Sequence, residues 1–416
     1  MLNLTKQVHS AVAAGVIALA GCAEWLDVTN PTVIDVDQID PVADAATLAN
    51  SAQQNFADAY GWMIVYSSWF VGETDVSETF PTRNEFGRRA IVIQNGSLNT
   101  DVWFPLSRTV ASTYLVLEAA LPNPGTDLNV ARAHLWLGYA FLFRAEHFCR
   151  GTVRAGPELT TAAMLDSAVA HLSAAVTVGA AAGDTTTGRR LARAALVGRA
   201  RAHLQAGNLA QAVADADAVP VGFTFALPYK DDLVDRTRLA NKLWIFVRDR
   251  GSIAVPPHWR TSDPRIPWIV APTGFAPQDA NYSQDRAVPY AIQQKYTNYD
   301  VSIRVASKLE ADYIKAEAEG TAAQLALIQA RRAAQGQSPF SGADPDSILT
   351  EFFTQKGFDF YLEGKRMGDF RRHPGNIFGL PVAGSTYWKP GFAPVGNQEC
   401  YPLPILETDN NPNFNP

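Results

Sequence analysis

Apolar and small residues recur at helical spacing through the middle of the chain. Leu135, Gly138, Leu142, Ala145 and Cys149 step by 3, 4, 3 and 4 residues, which is one face of a helix over 131–149. Phe141 and Phe148 widen that face. Leu191, Ala195, Gly198 and Ala202 repeat the pattern over 189–205, and Met164 to Val178 is an Ala-rich amphipathic run between them. At Gln205-Ala206-Gly207-Asn208-Leu209 one helix ends and another begins at once, with Gly207 suited to a left-handed position after the helix end. Helix, tight turn and helix, with small residues where helices cross, is the form of a degenerate tetratricopeptide repeat. A further pair follows downstream: Leu309, Tyr313 and Ala316 line one helix, Gly320 breaks it, and Leu325 and Ile328 continue in the next. Leu349, Phe353, Gly357, Phe360 and Gly364 then form a last stripe, whose glycines predict close packing or a helix end.

Two regions break this periodicity. Residues 61–110 are rich in aromatics, Thr, Ser and Gly, and residues 220–300 carry most of the prolines with many Trp and Tyr. Proline at that density excludes regular helix, and the length exceeds an ordinary loop. The tail from Pro374 onward is also loop-like. The pattern predicts a mainly all-α fold: a helical-repeat scaffold of about four helix pairs carrying a loop-rich irregular subdomain. The scaffold is expected over about 40–220 and 305–372, the insertion over about 221–304 and the irregular tail over 373–416.

Composition narrows the function. The 416 residues are 47% hydrophobic and 18% charged, enough for a sizeable core. The 35 basic and 41 acidic side chains give a formal charge of -6, which argues against a nucleic-acid partner. No uninterrupted apolar run reaches the roughly 18 residues of a membrane-spanning helix. The first 21 residues read as an address: Lys6, then an apolar run from Ala11 to Ala20. The run closes on Leu19-Ala20-Gly21-Cys22, which resembles a bacterial lipobox with Cys22 as the lipidated residue. Cys149 and Cys400 leave one disulfide open; Cys149 on a helical stripe reads better as a buried free thiol.

Catalytic signals are missing. There is no HExxH or paired-Cys pattern for zinc, no GxSxG nucleophile elbow and no glycine-rich phosphate loop, so neither a catalytic residue, a metal nor a cofactor is expected. His134, His147, His171 and His203 fall in expected helices and read as packed side chains; His258 and His373, in loops, stay open. Glu73, Asp75 and Glu78 cluster beside Trp69, either as a solvated polar loop, as acceptors for sugar hydroxyls or, least favoured, as a glycosidase pair. Trp62, Tyr66, Trp69, Trp259, Trp268, Tyr290, Tyr387 and Trp388 supply flat rings suited to the C–H faces of sugars, and loops carry binding residues disproportionately. The candidate ligand set is Trp69, Glu73, Asp75, Arg83, Asn84, Trp259, Trp268 and Trp388.

Four blocks, in order along the chain, resemble the SusD/RagB family of outer-membrane lipoproteins. Leu26-Asp27-Val28-Thr29-Asn30-Pro31 is similar to the family's opening after the lipid cysteine. Ala306 to Gly320, followed by 322–336, is similar to its paired Ala/Glu-rich helices, with Gln329 where the family has Asn. Phe358-Asp359-Phe360-Tyr361-Leu362-Glu363-Gly364-Lys365-Arg366-Met367-Gly368-Asp369-Phe370-Arg371-Arg372 is similar to its charged block, with Gly357-Phe358 in place of Glu-Arg. Tyr401-Pro402-Leu403-Pro404, Glu407 and Asn411-Pro412-Asn413 are similar to its ending. The resemblance implies a single SusD-like domain over 22–416 and a role as a surface nutrient binder, not an enzyme. It further implies an oligosaccharide or peptide ligand, a SusC-like TonB-dependent barrel as partner, and an outer-membrane location through a lipid anchor. Glu363, Arg366, Asp369 and Arg371 are expected to form buried pairs that fix the tail, and Trp103 to be core. The rival reading is a lipid-anchored tetratricopeptide scaffold for other envelope proteins.

Overall fold

The computed structural model describes residues 39–183, 185–272, 275, 283–286 and 290–414. The signal segment, Cys22 and the Leu26–Pro31 block lie outside the described residues. The chain divides after Asp44. Residues 39–44 are a turn in which the Asp40 carboxylate accepts the Val42 and Ala43 N–H groups at 3.0 and 3.2 Å. The rest concerns the unit from Ala45 onward.

Its helices are α1 (Ala45–Phe70), α2 (Pro81–Gly87), α3 (Phe104–Leu117), α4 (Leu128–His147), α5 (Thr161–Ala181), α6 (Thr185–Gln205) and α7 (Leu209–Ala218). After an insertion come α8 (Arg236–Leu239) and α9 (Lys242–Arg248) within it, then α10 (Lys308–Glu319), α11 (Thr321–Ala334), α12 (Pro345–Asp359), α13 (Arg366–Arg372) and α14 (Ile405–Asn410). From α3 to α7 each long helix packs on the next, α10 packs on α7, and α11 and α12 continue the row. The architecture is mainly helical, as the stripes predict.

Local chemistry sets the helix ends. Asp127, Thr160, Ser307 and Asp344 cap α4, α5, α10 and α12 by accepting backbone N–H groups. Gly207 sits at φ +78° in the turn between α6 and α7. A Cβ on Gly138 would lie 2.6 Å from the Leu172 side chain, so that glycine permits the close crossing of α4 and α5. Helix α5 has the length and composition of a membrane span, yet it packs between α4 and α6 through Met164, Leu165, Ala168, Leu172 and Ala175.

The insertion leaves the scaffold after α7 and returns at α10. Its entry strand β4 (Thr224–Leu227) and exit strand β8 (Ile303–Ser307) pair antiparallel, which closes it at the base. Strand β2 (Arg150–Gly151) pairs with β3 (Leu159–Thr160) between α4 and α5, and two more short ladders involve the insertion. Strand β1 (Asp75–Val76) pairs with β5 (Ile253–Ala254), and β6 (Trp268–Val270) with β7 (Ala291–Gln293). The core runs between α1 and α4, where Phe56 stacks on Trp136 at 4.7 Å and Tyr60 meets Phe143 at 5.3 Å.

Three expectations are corrected. Residues 61–70 are not an interruption but the second half of α1. Trp62, Tyr66 and Trp69 are spaced by 4 and 3, a helical stripe, and Tyr66 and Trp69 are buried on it. Cys149 is not a buried thiol: α4 ends at His147, and Cys149, exposed beyond it, forms a disulfide with Cys400. The stripe had been extended past the helix end. Third, of the charged block after α12 Glu363 and Asp369 form buried ion pairs, Glu363 with the insertion and Asp369 within the scaffold, while Arg366 and Arg371 donate to backbone carbonyls at the ends of α1 and α4. Glu363 binds Lys295 and Arg304, Asp369 binds Lys356 and Arg372, and Arg366 donates to the Val71 carbonyl. Trp103 is core, its indole N–H donating to Glu407 at 3.0 Å.

Candidate functional site

Three stretches far apart in sequence enclose a cleft of about 580 Å³. The first is the turn after α1. Gly72 takes φ +70°, and a Cβ there would lie 2.3 Å from the Gly379 carbonyl oxygen, so only glycine fits. The Gly72 carbonyl accepts the Trp259 indole N–H at 2.7 Å and the His258 Nε2–H at 3.0 Å. These bonds fix the second stretch, Pro256 to His258, against the first. The chain then enters β1, whose pairing with β5 holds Asp75 opposite Ala254. The third stretch is the tail from Gly379 to Val395, which brings Leu380, Ser385, Thr386, Tyr387 and Trp388. Volume and mainly apolar walls with few polar groups match a small-molecule site.

Trp69, Asp75 and Trp388 of the candidate set line this cleft. Trp69 is 1% exposed and its indole N–H has no hydrogen-bond partner among the described residues. Trp388 is half-buried, its ring 5.7 Å from that of Tyr387 and 5.0 Å from Lys389 Nζ. Asp75 is half-buried. Burial pushes its carboxyl up to about 7, against the pull of Arg260 and Lys389. His258 is held neutral by burial. The cleft therefore offers an indole face, a weakly solvated carboxylate and hydroxyls, which suits a polyhydroxylated ligand with an apolar face.

The other five candidates lie elsewhere. Arg83 is buried, its Nη1 donating to both Glu78 carboxylate oxygens at 2.8 and 2.9 Å and its Nε to Tyr66 Oη at 3.1 Å. Asn84 donates to the Glu78 and Phe80 carbonyls, and its Oδ1 accepts the Tyr387 hydroxyl at 3.2 Å, so it braces the cleft wall from behind. Trp259 is fully buried against Tyr361 and Phe378. Trp268 lies on β6 and donates to the Thr261 carbonyl at 3.1 Å. Glu73 turns inward, where Oε1 accepts the Leu362 N–H at 3.3 Å and Oε2 is buried without a partner. Of the tail wall the sequence points to Tyr387 and Trp388 alone, because the rest of its Gly- and Pro-rich run has no period. The adjacent rings of Tyr387 and Trp388 were the available signal.

Burial pushes the Glu73 carboxyl up to about 7, the nearby Arg366 opposing it. A carboxyl whose folded value lies above its ordinary 4.5 binds its proton more tightly in the fold than in the unfolded chain. Its contribution to stability therefore falls as pH rises through the interval from 4.5 to about 7, and is flat above. Glu73→Gln is expected to remove that slope from urea midpoints measured between pH 4.5 and 8. An unchanged slope would mean that Glu73 ionises like an exposed carboxylate.

A scan of protein-family models finds no match to the chain, and a search of curated proteins finds no relative. Solved structures do match. A SusD superfamily protein from Parabacteroides distasonis superposes with TM-score 0.66 at 15% identity, covering 91% of this chain and 99% of its own. A laminarin-binding SusD-like protein gives TM-score 0.60 at 16% identity, covering 90% and 98%. Surface glycan-binding protein A from Bacteroides fluxus gives TM-score 0.59 at 12% identity, covering 88% and 96%. The similarity extends over nearly the whole length of each.

Proposed function

We propose that this chain, built on the SusD-like fold, captures an oligosaccharide in the cleft between the turn after α1, the segment 256–258 and the tail. The observation that carries the reading is the half-buried pair Trp388 and Asp75 in one cleft. A ring face stacks on the apolar side of a sugar, and a carboxylate with little solvation accepts its hydroxyl protons. The naming of two structural neighbours as glycan or laminarin binders supports the same class. The reading is of a binder that leaves its glycan intact, which the naming of these neighbours as binding proteins supports.

The lipobox-like Leu19-Ala20-Gly21-Cys22 supports a lipid anchor on Cys22, and two or more acyl chains would hold it stably. The Cys149–Cys400 disulfide suits an oxidising compartment outside the cytoplasm. By resemblance, the protein sits on the outer membrane and hands its ligand to a SusC-like TonB-dependent barrel. A free carboxylate also accepts an ammonium group, so a peptide is the alternative cargo.

Binding of the lipid-free chain, residues 23–416, to an array of oligosaccharides and peptides tests the reading. A specific glycan signal, with the glycan recovered intact, is the expected result. A peptide signal alone would keep capture and change the cargo. Released sugar would overturn the non-catalytic role, and silence on both would overturn the ligand assignment.

A further inference from the structure

A second recess, of about 320 Å³, opens beside α1 and α9. Trp62, Thr237, Lys242, Phe246, Asp249 and Arg250 line it, and none of them lines the first cleft. The two share a partition, because Trp69 of the cleft and Phe246 of the recess meet edge to face at 5.8 Å. Trp62 is half-buried and its ring meets Phe246 edge-on at 5.5 Å, which fixes the indole plane.

The charges of the recess are unequally engaged. Lys242 is committed: its Nζ lies 2.6 Å from Asp58 and donates to the Thr237 carbonyl. Arg250 is not. Among the described residues its one ionic contact is to Glu78 at 3.3 Å, and both oxygens of Glu78 already accept from Arg83 at 2.8 and 2.9 Å. Arg250 Nε is buried with no hydrogen-bond partner among the described residues, and the guanidinium lies over the rings of Phe80 and Phe246 at 5.6 and 5.4 Å. A buried donor without a partner is unfavourable unless a ligand or water meets it. On the opposite sign, Asp249 accepts the Tyr299 hydroxyl through one oxygen, which leaves acceptor capacity. With Lys242 neutralised by Asp58, the lining is left with one charge of each sign, Arg250 and Asp249, so a net charge on the ligand gains little.

A fixed indole, an under-used guanidinium and a carboxylate with spare lone pairs, in a recess at the lower end of ligand-site volumes, suit one neutral ring bearing hydroxyls. We propose that this recess is a second carbohydrate subsite, holding one pyranose ring on Trp62 with its hydroxyls bound by Arg250 and Asp249. The carbohydrate class rests on the reading of the main cleft; the location does not. Two sites on one anchored protein raise the apparent affinity for a polymer above that for its monomer.

The test is fluorine NMR of the lipid-free chain labelled with 5-fluorotryptophan, with the Trp62 and Trp388 signals assigned from Trp62→Phe and Trp388→Phe. The probes are glucose, galactose, xylose, N-acetylglucosamine and laminarihexaose. The expected result is a saturable shift of the Trp62 signal with at least one probe. That shift should persist in Asp75→Ala and weaken about tenfold, the equivalent of about 1.4 kcal/mol, in Arg250→Ala and in Asp249→Asn. A Trp62 signal that stays still with every probe overturns the subsite, whatever Trp388 does. A shift of Trp62 unchanged in both recess variants overturns it too. Movement of Trp62 alone would sustain the subsite and count against the main cleft.

Discussion

Glu317→Ala is expected to destabilise the fold by about 3–5 kcal/mol, the cost of breaking a buried ion pair from one side. Glu317 leaves α10 with a side chain 4% exposed. It accepts from Arg372 at 2.7 and 3.0 Å, lies 3.3 Å from Lys356 Nζ, and has His373 Nε2 at 3.4 Å. Removing it leaves Lys356 and Arg372 facing Asp369 as their one remaining carboxylate in the cluster. Burial alone would raise the Glu317 carboxyl, but Arg372 and Lys356 outweigh it and hold the group well below the ordinary 4.5. A depressed acid stabilises the fold fully above its unfolded value, and that contribution declines as pH falls from there towards the folded value. The wild type should thus lose stability as pH drops below about 4.5, and Glu317→Ala should lose less of it over the same range. Urea denaturation at pH 7 and at pH 3.5 checks both statements. A loss under about 1 kcal/mol at pH 7 would place this cluster with exposed pairs, which are worth little.

The second large effect concerns the tail. Replacing Cys149 and Cys400 by serine together, or reducing the bond, is expected to cost about 2–4 kcal/mol. The bond spans 251 residues of sequence, so the unfolded chain gains much freedom when it is cut. The tail has other attachments. The Cys149 N–H donates to the Tyr401 carbonyl at 3.0 Å, and the Tyr401 N–H to the His147 carbonyl at 2.7 Å. Tyr401 is fully buried against Phe70, Phe86 and Phe148. These contacts should keep the fold assembled at lower stability. Because residues 379–395 form a wall of the cleft just before Cys400, ligand affinity should fall with the disulfide. Matching melts with and without reductant would show that the tail docks without help from the bond.

The helical scaffold was legible wherever its stripe was built from aliphatic and small residues. Leu135, Gly138, Leu142 and Ala145 mark α4, and Gly207 and Gly320 mark turns at φ +78° and +90°. The second half of α1 was harder to read. Its stripe is aromatic and broken by Gly61, Ser67 and Ser68, so composition suggested a loop although the 4 and 3 spacing of Trp62, Tyr66 and Trp69 was present. The same ambiguity governed the site. A tryptophan at a helix end and one at the cleft rim look alike in sequence; what separates Trp259, fully buried under the Gly72 carbonyl, from half-buried Trp388 is tertiary contact. Asp75 and Glu73 differ by two positions, yet one faces the cleft and the other turns into the core. That divergence follows from the left-handed turn at Gly72 and the pairing of β1 with β5, a contact between residues 177 apart at Val76–Ile253 and 179 apart at Asp75–Ala254. The tail wall depended on a docking that no local pattern encodes.

The most direct test is calorimetry of the best glycan from the array with the lipid-free chain and its Asp75→Ala and Trp388→Ala variants. Saturable binding by the wild type, weakened by about tenfold or more in each variant, is the expected result. Affinity unchanged in both variants would contradict capture in this cleft.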